Sequence, residues 1–189
     1  MNIWGFGSIK DEKLNALIEA GRMRFEVPDN IDQAFNIFVL HQNRTKRGSS
    51  EKSYFQEKYI PEFIDLVLWG HEHDNRLSLE YCPTPDCFIT QPGSTVPTSL
   101  SEGESDDKCI ALLTITKPED QSVKFKFDPI PLQTTRRVIF KNVYLEDLNV
   151  TKEEIKNKSK GLQIFKTAIK QELELLLAEH SKVHISRVV

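Results

Sequence analysis

Only three cysteines occur in 189 residues, at Cys82, Cys87 and Cys109. An odd number so small cannot form the closed disulfide framework of a secreted scaffold, and a reducing compartment fits best. Cys82 and Cys87 flank a Pro-Thr-Pro-Asp turn and are placed to face each other across a hairpin. A structural zinc site there would need further ligands at a suitable spacing, and none is found. Also lacking is any apolar run of about eighteen residues, the length that crosses a bilayer as a helix. The opening residues, Met1-Asn2-Ile3-Trp4-Gly5, have neither the basic stretch nor the apolar stretch of a secretory signal. These absences argue against secretion and membrane insertion. A globular chain of this length holds one domain, or one domain and part of a second.

The formal net charge of −3 is unevenly spread. Residues 1–131 carry 14 Lys and Arg against 21 Asp and Glu, which is −7, whereas residues 132–189 carry 11 against 7, which is +4. A local basic excess of this kind either faces nucleic acid or is solvated surface.

Phe35 to Leu40 and Leu66 to Trp69 are apolar runs without helical period, and both read as strands of a sheet covered on both faces. His41 follows the first run directly, and Gly70-His71-Glu72-His73 follows the second. Polar chemistry therefore sits just past the strand C-termini, where open α/β sheets place ligands. Between the runs lie a basic loop, residues 42–50, and a helix expected over about Tyr54 to Phe63, disturbed by Pro61. Asp11 to Ala20 reads as a further helix, with Ser8 or Asp11 near its start and Gly21 just past its end.

Past His73 the pattern alternates, giving strands at Arg76 to Tyr81, Cys87 to Thr90, Cys109 to Thr116 and Val123 to Phe127, an expected antiparallel continuation. Gln91-Pro92-Gly93-Ser94 reads as a tight turn and Ser101 to Asp107 as an acidic, mobile loop. Pro129 and Pro131 mark a domain boundary. Beyond it, Val138 to Tyr144 reads as a strand, Thr151 to His180 as helix with an interruption at Gly161, and Val183 as the opening of another strand. Thr151 and Glu154 have capping-box spacing, while Leu162, Phe165, Ile169, Leu173 and Leu176 form a stripe expected to face a core.

Neutral imidazoles are good ligands for borderline divalent metals. Two of them one residue apart after Gly70, with a third at the end of a parallel strand, can aim into one cleft; a lone histidine at a strand end would more often be incidental. The segments Phe38-Val39-Leu40-His41-Gln42-Asn43-Arg44, Asp65 to His73, and Gln91-Pro92-Gly93-Ser94-Thr95-Val96 with Thr98-Ser99-Leu100 resemble the distal motifs of the calcineurin-like metallophosphoesterases. More narrowly, they resemble the eukaryotic double-strand-break repair nucleases of that superfamily, and Ile3 to Ile9 with Asp11-Glu12 resembles the segment that precedes the His-Gln-Asn-Arg motif there.

The fold so implied is α/β (α+β): the C-terminal half of a calcineurin-like metallophosphoesterase β-sandwich with flanking helices over residues 1–131, and a partial α/β capping domain that binds DNA over residues 132–189. The activity implied is that of a manganese-dependent phosphodiesterase with 3′-to-5′ exonuclease and single-strand endonuclease action in DNA end resection, in the nucleus. Carried over by the same resemblance, His41 and His71 ligate one of two Mn(2+) ions and His73 the other, and Arg136, Arg137 and Lys141 contact the DNA backbone. The partners implied are DNA, an SMC-like coiled-coil ATPase, an adaptor subunit and a second copy of the chain.

The family's proximal motifs, Asp-x-His, Gly-Asp and Gly-Asn-His-Asp, do not occur in this sequence. The chain opens after the point where they would lie, and most segments that contact partners are likewise absent. Half of the ligand set is then missing, so the isolated chain is expected to bind manganese weakly, to cleave DNA at no useful rate, and to be prone to aggregation through an unpaired sheet edge and exposed apolar core surface. A non-catalytic DNA- or partner-binding module derived from such a nuclease, and another calcineurin-like phosphoesterase acting on phosphoproteins or nucleotides, are the competing readings.

Overall fold

Two apolar runs set the centre of the fold, as their composition requires. The computed structural model describes residues 1–46, 48–50, 52–118, 123–148 and 151–180, and the strand expected at Val183 lies outside them. The chain divides into two compact units, Met1–Phe140 and Lys141–Val189.

In the first unit, β1 (Asn2–Gly5), β2 (Asn36–Leu40), β3 (Leu66–Trp69), β4 (Arg76–Cys82) and β5 (Cys87–Gln91) form one sheet in the order β1-β2-β3-β5-β4. β1, β2, β3 and β5 run parallel, and β4 returns antiparallel along β5. The strands read from the two apolar runs are β2 and β3, adjacent and parallel as expected. Their alternate side chains serve two cores. Phe38, Leu40, Val67, Trp69 and Ile89 pack on one face with Leu14, Phe55, Ile60 and Ile64. Phe35, Ile37 and Leu66 pack on the other against Leu113, Ile115, Val123 and Phe125. The last four belong to or adjoin an antiparallel pair, β6 (Cys109–Thr116) and β7 (Lys124–Pro131), which forms a separate two-stranded sheet. The alternating strands thus pair antiparallel as read, but in two sheets rather than one continuation. Cys82 and Cys87 lie directly opposite across β4 and β5, and burial pushes the Cys87 thiol up to about 12.

The first helix, α1 (Asp11–Glu19), ends as expected: the N–H groups of Gly21 and Arg22 return to the carbonyls of Ile18 and Leu17, a Schellman closure. No side chain caps its start: Lys10 stands at the N-cap and its side chain has no acceptor, and Asp11, the first helical residue, bonds instead to Gln42 and Asn43. The helix expected over Tyr54 to Phe63 does not form; only a 3-10 turn at Glu57–Tyr59 is present. Pro61 drives the preceding Ile60 out of the helical region, to φ −70° and ψ 129°, and Phe55, Ile60 and Ile64 enter the core from an irregular segment. The strand expected over Val138 to Tyr144 is also absent. Ile139, Phe140, Val143 and Tyr144 are exposed, and no strand lies alongside them among the described residues.

In the second unit the helix breaks at Asn157 rather than at Gly161, giving α2 (Lys152–Lys156) and α3 (Lys158–His180). The Asn157 side chain accepts from the N–H of Lys160 and so starts a new helix, and Gly161 sits inside its first turns. The capping box of Thr151 and Glu154 forms as read. The stripe on α3 does not face a core: Leu162, Ile169 and Leu173 are each more than half exposed, and only Phe165 and Leu176 are half-buried. Its spacing aligns these side chains, but the five-residue α2 that packs beside it is too short to cover them.

Candidate metal centre

His41 is the first residue past β2 and His71 the second past β3, so the parallel pairing of these strands delivers both imidazoles to one sheet edge. Their ring centroids are 5.2 Å apart in an edge-to-face arrangement. Gly70 makes this approach possible: a Cβ there would lie 3.0 Å from Nδ1 of His41 and 3.1 Å from the carbonyl of Leu40. His71 itself has a φ of 73°, the left-handed conformation that turns the chain sharply at the strand end.

The three residues after His41 hold this corner together. Gln42 is buried, donates to Oδ1 of Asp11 at 2.8 Å and to the carbonyl of Ile9, and accepts from the indole N–H of Trp69 at 2.9 Å. Asn43 donates through Nδ2 to Oδ2 of Asp11 at 2.7 Å and to the carbonyl of Ser53, which leaves Oδ1 facing Nε2 of His71 at 3.0 Å. Since Oδ1 can only accept, Nε2 of His71 carries the ring proton and Nδ1 keeps a lone pair for a cation. Arg44 lies over the Trp69 ring and pairs with Glu80 and Glu57, while its backbone N–H donates to Glu72. Burial would lower the Arg44 pKa, but these carboxylates outweigh it and hold the guanidinium above its ordinary value.

His73 is held differently. Its Nδ1 lies 2.8 Å from Oε1 of Glu104, a carboxylate that is only 1% exposed. The segment expected to be an acidic, mobile loop instead makes a 3-10 turn at Glu102–Glu104 and inserts this one carboxylate beneath the Gln91-Pro92-Gly93-Ser94 turn. That turn closes as read, with the N–H of Ser94 donating to the carbonyl of His73. Gly93, at φ 71°, is required there, because a Cβ would fall 2.6 Å from the same carbonyl.

The structure thus brings His41 and His71 together and holds His73 separately. Among the described residues no three His, Cys, Asp or Glu side chains form a group able to hold an ion. The donor chemistry nonetheless fits a divalent metal: His71 and His73 each have one ring nitrogen engaged by a protein partner and the other left for a cation, as metal-ligating imidazoles do.

Comparison with models of known protein families finds no match. Among curated proteins, the chain is 41% identical over 147 residues to the double-strand break repair protein MRE11 of Coprinopsis cinerea, covering 78% of this chain and 19% of that protein. It is 34% identical over 160 residues to MRE11 of Encephalitozoon cuniculi, covering 85% and 26%, and 37% identical over 144 residues to MRE11 of Homo sapiens, covering 76% and 19%. This chain belongs to the MRE11 family. It spans about a fifth to a quarter of the length of the MRE11 proteins it matches. Its mixed sheet with flanking helices is the metallophosphoesterase fold class expected from sequence.

The MRE11 likeness singled out His41, His71 and His73 but gave no role to the groups that hold them. Asp11, Asn43 and Glu104 were missed as functional residues. Asp11 reads as an ordinary first-turn helix acid, and Glu104 sits in a run whose acidity suggests solvent. The one signal in reach was Lys108, four residues after Glu104, whose side chain is only 2% exposed and lies 2.7 Å from it. Of the three basic positions, Arg136 is exposed, Arg137 pairs with Asp107 at 2.9 Å, and Lys141 pairs with Glu172 at 3.5 Å.

Proposed function

We propose that this chain carries part of a two-metal DNA phosphodiesterase site, with His41 and His71 on one divalent ion and His73 on the other. The observation that carries this reading is the meeting of His41 and His71 at adjacent parallel strand ends, with the proton of His71 committed to Asn43. The names of the MRE11 relatives, double-strand break repair proteins, direct it to DNA. The ions, manganese by preference, would polarise phosphoryl oxygens and lower the pKa of a bound water. The chain's own residues supply orientation: Asn43 turns His71, Glu104 turns His73, and Gly70 admits His41 beside His71.

Three imidazoles fall short of the ligands that two ions need, so the remaining donors come from other residues of a complete nuclease. In that setting the activities are 3′-to-5′ exonuclease and single-strand endonuclease action in DNA end resection, in the nucleus. Residues 1–131 then belong to the nuclease domain and residues 132–189 to a capping domain, where Arg136, Arg137 and Lys141 contact the DNA backbone. The adaptor subunit, the SMC-like coiled-coil ATPase and a second copy of the chain are partners of that complete protein.

The test is calorimetric titration of the chain with manganese beside a nuclease assay on a labelled hairpin. Weak manganese binding that disappears in His41→Ala and His71→Ala, with no cleavage, is expected. Tight binding of two ions with robust cleavage would overturn the partial site. Binding of hairpin DNA without any histidine-dependent manganese binding would favour a non-catalytic binding module.

A further inference from the structure

Glu104 and Lys108 are both buried charges, and contact with one imidazole does not by itself account for burying the pair. Burying a carboxylate and an ammonium costs more than a surface pair returns unless their remaining hydrogen-bonding capacity is filled, so their partners show what the pair is for. On Oε2, Glu104 accepts from Nζ of Lys108 at 2.7 Å and from the Ser94 hydroxyl at 2.9 Å. On Oε1 it accepts from the N–H of Thr98 at 3.0 Å and the Thr98 hydroxyl at 2.6 Å, with Nδ1 of His73 at 2.8 Å. Lys108 spends its other contacts on the Ser94 hydroxyl at 3.1 Å and on the carbonyl of His73 itself at 3.3 Å.

The Lys108 ammonium cancels the carboxylate charge, so Glu104 is ionised without any need for a charged imidazole. Surrounded by donors, it accepts only; the Thr98 hydroxyl, also 2.6 Å from Nδ1 of His73, gives its one proton to Oε1, so an unprotonated Nδ1 would set a lone pair against both oxygens. We infer that Glu104, fixed by Lys108, is a positioning residue for His73, forcing the ring proton onto Nδ1 and presenting Nε2 outward with a free lone pair. A free imidazole favours the opposite tautomer, so the effect is separable from mere packing. The inference rests on the reading of His73 as a metal ligand only for its purpose; the tautomer itself is a property of the metal-free chain.

Long-range proton–nitrogen correlation spectra of the whole chain, labelled with nitrogen-15 and recorded well above the ordinary imidazole pKa of about 6.5, read the tautomer directly. In the unsubstituted protein the unprotonated nitrogen of His73 is expected to be Nε2. In Glu104→Gln it should shift towards Nδ1 or average between the two. Ser94→Ala, which removes a hydroxyl from the network while keeping the backbone N–H bond to the His73 carbonyl, should leave the pattern unchanged. An Nε2-protonated His73 in the unsubstituted protein overturns the inference whether or not the Glu104 variant folds, and so does a pattern identical in Glu104→Gln. Added manganese separates the two readings: loss of the His73 Nε2 signal supports the metal ligand, whereas a preserved signal with the predicted tautomer removes the metal role and leaves the positioning intact.

Discussion

The central sheet and helix α3 both carry regularly spaced apolar residues, with opposite outcomes. In β2 and β3 nearly every apolar side chain is buried, because α1 with the 54–64 segment covers one face and the β6–β7 pair the other. On α3 an equally regular stripe leaves Leu162, Ile169 and Leu173 largely in solvent. Periodicity aligns apolar groups on one side of an element, and burial follows only where a second surface meets that side. A strand inside a sheet brings its covering layers through the chain's own connections. A single long helix does not.

The sharpest way to probe this contrast is Phe38→Ala, which removes a fully buried ring contacted by Phe6, Phe25 and Phe55. A loss of about 3–5 kcal/mol is expected from the urea midpoint. A loss below about 1 kcal/mol would show the sheet core to be as loosely covered as the helix.

Next comes the acid limb of the stability profile. Burial alone would raise the pKa of Glu104, but the hydrogen bonds from Lys108, Thr98 and His73 hold it far below the carboxylate range. A carboxylate depressed in the folded state contributes stability above its unfolded pKa of about 4.3 and loses it as pH falls through that range towards the folded value. Glu104→Gln should therefore lower stability at neutral pH and flatten the decline in acid, measured as urea midpoints against pH. An unchanged acid slope would remove Glu104 from the groups that set it.

The smallest effect belongs to Ile169→Ala on the exposed stripe, where a change within about 0.5 kcal/mol is expected. A large loss there would mean that α3 is covered in solution and would erase the contrast with β2 and β3.

The same contrast explains what could be read beforehand. β2 and β3 were legible because strands buried on both faces lack polar interruptions. β1 was missed: it is a four-residue edge strand in which exposed Ile3 and Gly5 alternate with half-buried Asn2 and Trp4, too short to declare a period. Over Tyr54 to Phe63 the composition suits a helix, but Pro61 excludes helical geometry at Ile60, and Val138 to Tyr144 has strand-like residues with no strand alongside among the described residues. At the site, His41, His71 and His73 were visible as a motif, because chemistry restricts which side chains bind metals. Their supports were not. Asp11 lies 30 residues before His41 and Glu104 lies 31 residues after His73 in sequence, so only the folded sheet edge and the returning loop reveal the contacts.

Trp69 joins the two halves of this picture. Its indole is buried in the core, yet its N–H reaches the carbonyl of Gln42, next to His41, and the Arg44 guanidinium rests 5.4 Å from the ring centre. The chain has only one other tryptophan, Trp4, which is half-buried in the edge strand. Trp69 is therefore a built-in fluorophore beneath the candidate site, and any event that lifts Arg44 or shifts the 41–44 corner registers in its emission without a label.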